Sequence, residues 1–333
     1  MTQSAEAAAK PEAPPTPPEQ PELLKQVAGN QAGMFLVTPG ALDDADAHLA
    51  HIRELGLDSH ILELEVCGYT VVPPEMVAPP EFTARVRDAL LRLAEEKTGV
   101  KHSLDRNGDT GKYAAFAAGG GFFLIFYLLF EDPVFEEWIE NPVLGALVNH
   151  TLKGQGRLSS FDALVRWKDA SQLDPDVLDH ALHSDSPRWP DGNLLDGGNL
   201  MTNSAYILTD YTKENGCIAM VPGSHRLGRL PYPGEGLKDM VPVEAPAGSL
   251  IFWKGATWHG PGYPKLTDGL RLTMNTTFFN RSLKTVEQFQ RAVPKEVLDR
   301  RNRQFALLVG ADDMTGFGSE GPQPAYLEPY SFF

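Results

Sequence analysis

From residue 158 onward the chain breaks into short runs rich in β-branched and aromatic residues: 160–167, 204–209, 217–221, 240–244, 249–253 and 270–279. Between them stand residues that tolerate a positive φ, in Glu214-Asn215-Gly216, Pro222-Gly223-Ser224 and Ala247-Gly248. Short strands at such turn-marked intervals suit a sandwich or barrel of antiparallel strands. The first half reads differently. Residues 43–55 and 81–95 carry helical periodicity, and Phe82, Val86, Ala89, Leu90 and Leu93 make one apolar stripe at spacings of three and four. Residues 68–72 form a short strand stopped by Pro73-Pro74, and Asp132-Pro133 and Asn141-Pro142 open helical segments at 134–139 and 143–152. Periodicity leaves 122–130 open between a buried strand and a buried helix, and a further amphipathic helix spans 293–309. The Gly- and Pro-rich segment after Gly310 wraps the surface or forms a lid. The class is therefore α+β: a β-rich core preceded by helices and closed by one more.

Composition narrows the function. Acidic residues outnumber Lys plus Arg by 44 to 29, a net charge of -15, whereas phosphate backbones are bound through clustered cations. Nucleic acid is an unsuitable partner. Only Cys67 and Cys217 are present, isolated from each other, which fits a reducing cytoplasm better than a disulfide framework. Residues 1–22, with Pro11, Pro14, Pro15, Pro17, Pro18 and Pro21 among Ala and Glu, lack the basic and apolar regions of a signal peptide and read as a solvated tail. The longest apolar run, nine residues at 122–130, is less than half of the roughly 20 that span a bilayer. No membrane insertion is expected.

The chemistry-bearing residues lie in the β-rich half. His183-Ser184-Asp185 puts an imidazole and a carboxylate on one face of an extended segment. His259, just beyond the strand at 249–253, supplies a third donor. Two histidines and one carboxylate on one face of a metal leave its other positions open, the arrangement of non-haem Fe(II) oxygen chemistry. Arg271 follows twelve residues after His259, and a guanidinium is a fork for a carboxylate. Taken singly, each has an ordinary explanation: a chance His-x-Asp, a packed histidine, a surface ion pair. Their joint order carries the argument. His180 reads as a structural neighbour, and His225 as a loop-ordering residue rather than a fourth ligand. Arg188 and Trp189 belong to a stretch, 186–198, that is placed to cover a substrate, although an exposed loop with one buried Trp fits as well. Gly119-Gly120-Gly121 lacks the setting of a nucleotide loop and is read as a turn.

These residues, with Tyr206 to Thr209, Glu214-Asn215-Gly216, Val221-Pro222-Gly223-Ser224-His225 and Ala247-Gly248-Ser249, resemble the phytanoyl-CoA dioxygenase family of Fe(II)/2-oxoglutarate oxygenases over roughly 67–279. The resemblance implies a double-stranded β-helix (a cupin-like jelly roll) at 158–280, helical elaboration at 23–157, and a C-terminal helix and tail at 281–333, all in one domain from 23 to 333. It implies Fe(II) held by His183, Asp185 and His259, the 5-carboxylate of 2-oxoglutarate held by Arg271, and O2 as oxidant with succinate formed. Thr273, two after Arg271 on the same strand face, either offers a hydroxyl to the cosubstrate or fills the core. Relatives that halogenate carry a small residue at the position of Asp185, so hydroxylation of a small-molecule substrate is implied. The chain departs from many relatives at Pro261, where a small hydroxyl residue is common, and near Ile218, where a polar side chain is. On the residues alone, a zinc hydrolase using the same three donors, or a metal-containing jelly roll that binds a metabolite without turnover, stays open.

Overall fold

Two-residue alternation builds the main sheet. The computed structural model describes residues 45–113, 121–168, 182–260, 262–311, 317–318 and 321–322. Six strands pair antiparallel in the order β1 (Tyr69–Val72), β7 (Leu250–Lys254), β4 (Met201–Ile207), β9 (Arg271–Asn280), β3 (Gly156–Arg166) and β2 (Phe122–Ile125). A second antiparallel sheet holds the short strands β6 (Val241–Pro242), β5 (Ala219–Met220) and β8 (His259–Gly260). One face of the large sheet, with Tyr206, Leu250, Phe252, Leu272 and Met274, packs into the main core with the helices. From the opposite face Ala205, Ile207, Ile251 and Trp253 share a second core with Met220 of β5 and Val243. Since side chains alternate along a strand, Arg271 and Thr273 leave β9 on this second side. Residues 46–313 make one compact unit, and a second comprises 1–45 and 314–333; of the latter, the pair β10 (Phe317–Gly318) and β11 (Gly321–Pro322) is described.

The helices follow their punctuation. In α4 (Pro80–Thr98) Val86, Ala89, Leu90 and Leu93 are buried as the stripe required, and Gly99 closes it at φ 75°, donating to the Glu95 carbonyl. α5 (Pro133–Ile139) and α6 (Pro142–Leu152) begin with an Asp132 or Asn141 side chain accepting a backbone N–H, followed by proline in the first turn. α1 (Ala45–Glu54), α2 (Asp58–Cys67) and α3 (Pro74–Val77) complete the helices upstream of the second strand. No periodic stripe announces α2: Leu64 is buried, while Leu62 and Val66 face solvent.

Several expectations need correction. The single helix at 293–309 is two short ones, α8 (Lys295–Arg300) and α9 (Arg303–Leu308), preceded by another short helix, α7 (Phe289–Ala292). Pro294 has no N–H to continue a helix and stands at the N-cap of α8, and the Asn302 side chain takes the N–H of Phe305 to start α9. The run 122–130 is neither one strand nor one helix. It leaves β2, turns at Tyr127, whose φ is 59°, and ends in a 3-10 turn at Leu128–Phe130. The expected strands at 217–221 and 240–244 shrink to two residues each. The closing helices are tied down by Glu136, 1% exposed, which accepts from Arg300 and, at 2.8 Å, from Arg301. The tail at 1–22 lies outside the described residues, as does nearly all of the segment after Gly310. Among the described residues no helix is long and apolar enough to cross a membrane.

Candidate metal centre

His183 and His259 lie on paired backbones, each donating its amide to the other's carbonyl at 2.9 Å. Asp185, two residues along on the same face, is pinned by donation from its amide to the Gly255 carbonyl at 3.1 Å. Gly255 is needed there, because a Cβ would meet Met201 at 2.2 Å and Ser186 at 2.9 Å. The result brings three donors within 4.8 Å of one another, one from each of His183, Asp185 and His259. Asp185 Oδ1 is 3.5 Å from His183 Nε2 and its Oδ2 is 3.1 Å from His259 Nε2. His259 is buried while the side chain of His183 is 46% exposed, so the group opens to solvent on the His183 side.

The surroundings set the charge and orientation of each donor. The Thr257 carbonyl lies 2.9 Å from His259 Nδ1 and accepts its proton, which turns Nε2 toward Asp185. Asn203, on β4, donates from Nδ2 to Asp185 Oδ2 at 2.8 Å, and its Oδ1 accepts from Thr277 at 2.8 Å. Burial by itself pushes the Asp185 carboxyl up, but the His259 ring, then His183 and Asn203, bring it down to about 2. Burial likewise opposes a charge on His259, and the Asp185 carboxylate overcomes it and raises that imidazole. Trp253 packs edge-on against His259 with ring centres 5.5 Å apart.

Arg271, at the start of β9, is fully buried. Its Nη1 donates to the Gly216 carbonyl and its guanidinium lies 4.8 Å from the centre of the Tyr211 ring. Nε and Nη2 have no hydrogen-bond partner among the described residues, and neither does the buried Thr273 hydroxyl two residues on. Lys265 adds a second buried cation nearby. Its ammonium is held by Thr267, and burial, then the Arg271 charge, push it down to about 8. Leaving N–H groups of a buried guanidinium unpaired is costly. An anion with oxygen acceptors would satisfy them.

The structure thus brings His183, Asp185 and His259 together, and puts Arg271 and Thr273 on one strand face. His225 stands apart from the three donors. It is buried against Gly68, where a Cβ would lie 2.5 Å from its Nδ1, and its Nε2 is 3.3 Å from the Glu65 carbonyl. Trp189 is 60% exposed, so the stretch at 186–198 does not bury it. His180, Pro261, Gly119 and Gly120 lie outside the described residues; Gly121 has a φ of 71°. Sequence reasoning missed Asn203, Tyr211 and Lys265; Asn203 is 18 residues from Asp185 and Tyr211 is 60 from Arg271, while Lys265, six before Arg271, carries no pattern that marks a buried cation. Only the alternation of β4, counted once its register was known, would have put Asn203 on the inner face.

Fold and site together define a β-rich protein with a two-histidine, one-carboxylate group able to hold one metal ion, set in the same β-rich half as a buried arginine. Residues 64–272 match the family described as phytanoyl-CoA dioxygenase, and the chain belongs to that family. An uncharacterized protein of Mycobacterium tuberculosis is 27% identical over 250 residues, covering 74% of this chain and 84% of its own. The multifunctional dioxygenase ausE of Penicillium brasilianum is 24% identical over 276 residues, covering 77% and 84%. Among solved structures, the non-heme alpha ketoglutarate dependent epimerase SnoN from nogalamycin biosynthesis superposes with a TM-score of 0.51 at 21% identity, covering 68% of this chain and 84% of that one. HygX from Streptomyces hygroscopicus, solved with nickel and 2-oxoglutarate bound, gives 0.51 at 19% identity, covering 68% and 88%. These likenesses establish a shared fold.

Proposed function

We propose that the chain is an Fe(II)/2-oxoglutarate-dependent oxygenase that hydroxylates a small organic or acyl substrate, with His183, Asp185 and His259 as the iron ligands. One observation carries the reading: the buried Arg271 guanidinium, with two of its nitrogens unpaired, lies in the same β-rich half as the His-Asp-His group. Activating water on a metal does not of itself call for such a fork, whereas the 5-carboxylate of 2-oxoglutarate matches it. Membership of the family, and the 2-oxoglutarate bound to the related fold of HygX, support the same cosubstrate. The core that β4 and β7 share with β5 supports a double-stranded β-helix, the jelly roll implied for 158–280.

The protein's part is ligation, orientation and exclusion of water. The donor set, two neutral imidazole nitrogens and a carboxylate oxygen, suits Fe(II) and leaves positions open. When bound, iron and 2-oxoglutarate supply the oxidising chemistry, in which O2 is consumed, the cosubstrate loses CO2 to give succinate, and one oxygen atom goes to the substrate. Arg271 holds the distal carboxylate through charge-assisted hydrogen bonds, and the Thr273 hydroxyl adds a donor on the same face. Asn203 fixes the rotamer of Asp185, and the Thr257 carbonyl fixes the tautomer of His259. Asp185 keeps a carboxylate where halogenating relatives have a small residue, which supports hydroxylation over halogenation.

Anaerobic purification with metal analysis, coupled to succinate release from 2-oxoglutarate, tests the reading. Bound iron and iron-dependent succinate are expected, with both lost in His259→Ala. Wild-type iron content and turnover in that variant would refute the ligand set. Bound zinc with no succinate would refute the oxygenase.

A further inference from the structure

We propose that Arg188 selects the substrate by pairing with an anionic group, a carboxylate or a phosphate, on an otherwise apolar molecule. What happens to that molecule rests on the oxygenase reading; the evidence for its charge is separate. A cavity of about 320 Å³ reaches His183 and Asp185 and is walled by Leu182, Leu230 and Pro231, and Arg188 is the one cation among its lining residues. Asp185, the one carboxylate there, is already engaged by His259, His183 and Asn203. Among the described residues the Arg188 side chain has no ion-pair partner.

Its neighbour Arg229 shows the contrast. Glu235 accepts from both of its Nη groups, at 2.8 and 2.7 Å, and the guanidinium lies 4.3 Å from the centre of the Tyr232 ring. That cation is neutralised and serves to brace the wall. Arg188 is left open to a ligand, yet its backbone is firmly placed. Arg188 pairs with Leu194 across a hairpin closed by Trp189 N–H to the Asn193 carbonyl and Leu195 N–H to the Pro187 carbonyl, both at 2.8 Å. The returning arm of the hairpin pairs in turn with Arg229, through Leu194 N–H to Gly228 at 2.8 Å and Leu230 N–H to Gly192 at 3.0 Å. Arg188 and Leu230 are therefore carried on one three-layered ribbon, a cation beside an apolar wall. Trp189 and Tyr232, 60% and 65% exposed, offer further apolar surface on the same two loops. A ligand with one anionic group and an apolar body would cover this surface and, by excluding water, strengthen its own ion pair.

The test is binding, read by calorimetry on the full chain with and without Co(II) and 2-oxoglutarate, using decanoate, decyl phosphate and decanol as probes. Exposed ion pairs contribute up to about 1 kcal/mol, or roughly fivefold, and the apolar body that excludes water puts this pair at the top of that range, so at least one of the two anions is expected to bind about fivefold more tightly than decanol. Arg188→Gln should bring the three within about twofold of one another, and Arg188→Lys should keep part of the preference. The anion that is favoured identifies the group. Equal binding of all three to the wild type, an anion preference that survives in Arg188→Gln, or no binding of either anion at millimolar concentration overturns the proposal. Loss of the oxygenase reading appears instead as absent succinate release, so the two can fail independently.

Discussion

Replacing Asn203 by Leu, which keeps the bulk and removes the amide, should weaken metal binding without unfolding the chain. Asn203 is 5% exposed. A carboxylate can only accept, so the amide must face Asp185 with Nδ2 and leave Oδ1 to Thr277, which is the arrangement seen. A hydrogen bond to a charged acceptor contributes about 1.5 to 3 kcal/mol. The Asp185 side chain is 35% exposed, so water recovers part of it and about 1 to 2 kcal/mol remains. That corresponds to a roughly 5- to 30-fold loss of affinity, overlapping the lower part of the roughly 10- to 100-fold range for partners that orient metal ligands. Competition of Co(II) between protein and a chromogenic chelator measures it. Thr277→Val, which removes only the outer hydrogen bond, should show a smaller loss, and the double variant should not be additive. Affinity within twofold of wild type in Asn203→Leu would refute the argument that this amide holds the carboxylate in place.

Arg271→Leu should raise the 2-oxoglutarate requirement by roughly tenfold to a hundredfold with iron binding little changed, and an unaltered 2-oxoglutarate titration would remove Arg271 from the cosubstrate site. Glu136→Ala takes the shared acceptor from Arg300 and Arg301, of which Arg301 keeps Glu140, and should cost about 1.5 to 3 kcal/mol in chemical denaturation, the usual contribution of hydrogen bonds to a charged group; a loss below about 1 kcal/mol would mean the clamp is idle. Burial, then the Lys254 charge, push the His225 imidazole from 6.5 down to about 4. The fold accommodates the neutral ring, so the stability this contributes is whole above pH 6.5 and is lost as pH falls from there toward 4. In metal-free protein His225→Gln should flatten the melting temperature over that window, and parallel wild-type and variant curves would contradict it.

That His183, Asp185 and His259 come together, with Arg271 on the strand that follows, was legible because it is carried by residue type and order: His183 and Asp185 at a spacing of two, then His259, then Arg271. The helix starts at Pro133 and Pro142 were legible for the same reason, since a capping side chain followed by proline acts within a few residues. What escaped depends on distance along the chain. Asn203 meets Asp185 only after β4 has found its register against β7 and β9. Helix α2 escaped because half of its apolar side chains face solvent, and the closing helix was drawn as one because the breaks at Pro294 and Asn302 interrupt a spacing that otherwise continues. The two-residue strands β5, β6 and β8 are too short for any pattern to mark.

The reciprocal amide bonds between His183 and His259 have a consequence for the ion proposed to bind there. Two of the three proposed donors are carried on backbones that separate only when both bonds break, so opening of this pair disperses the proposed ligands and is coupled to binding of the ion. An ion bound only in the closed state lowers the open population in proportion to how far its concentration exceeds its dissociation constant. The two amides are therefore a built-in gauge of occupancy: their exchange with solvent deuterium should slow as the ion is added and quicken as a chelator removes it, with no substrate in the tube.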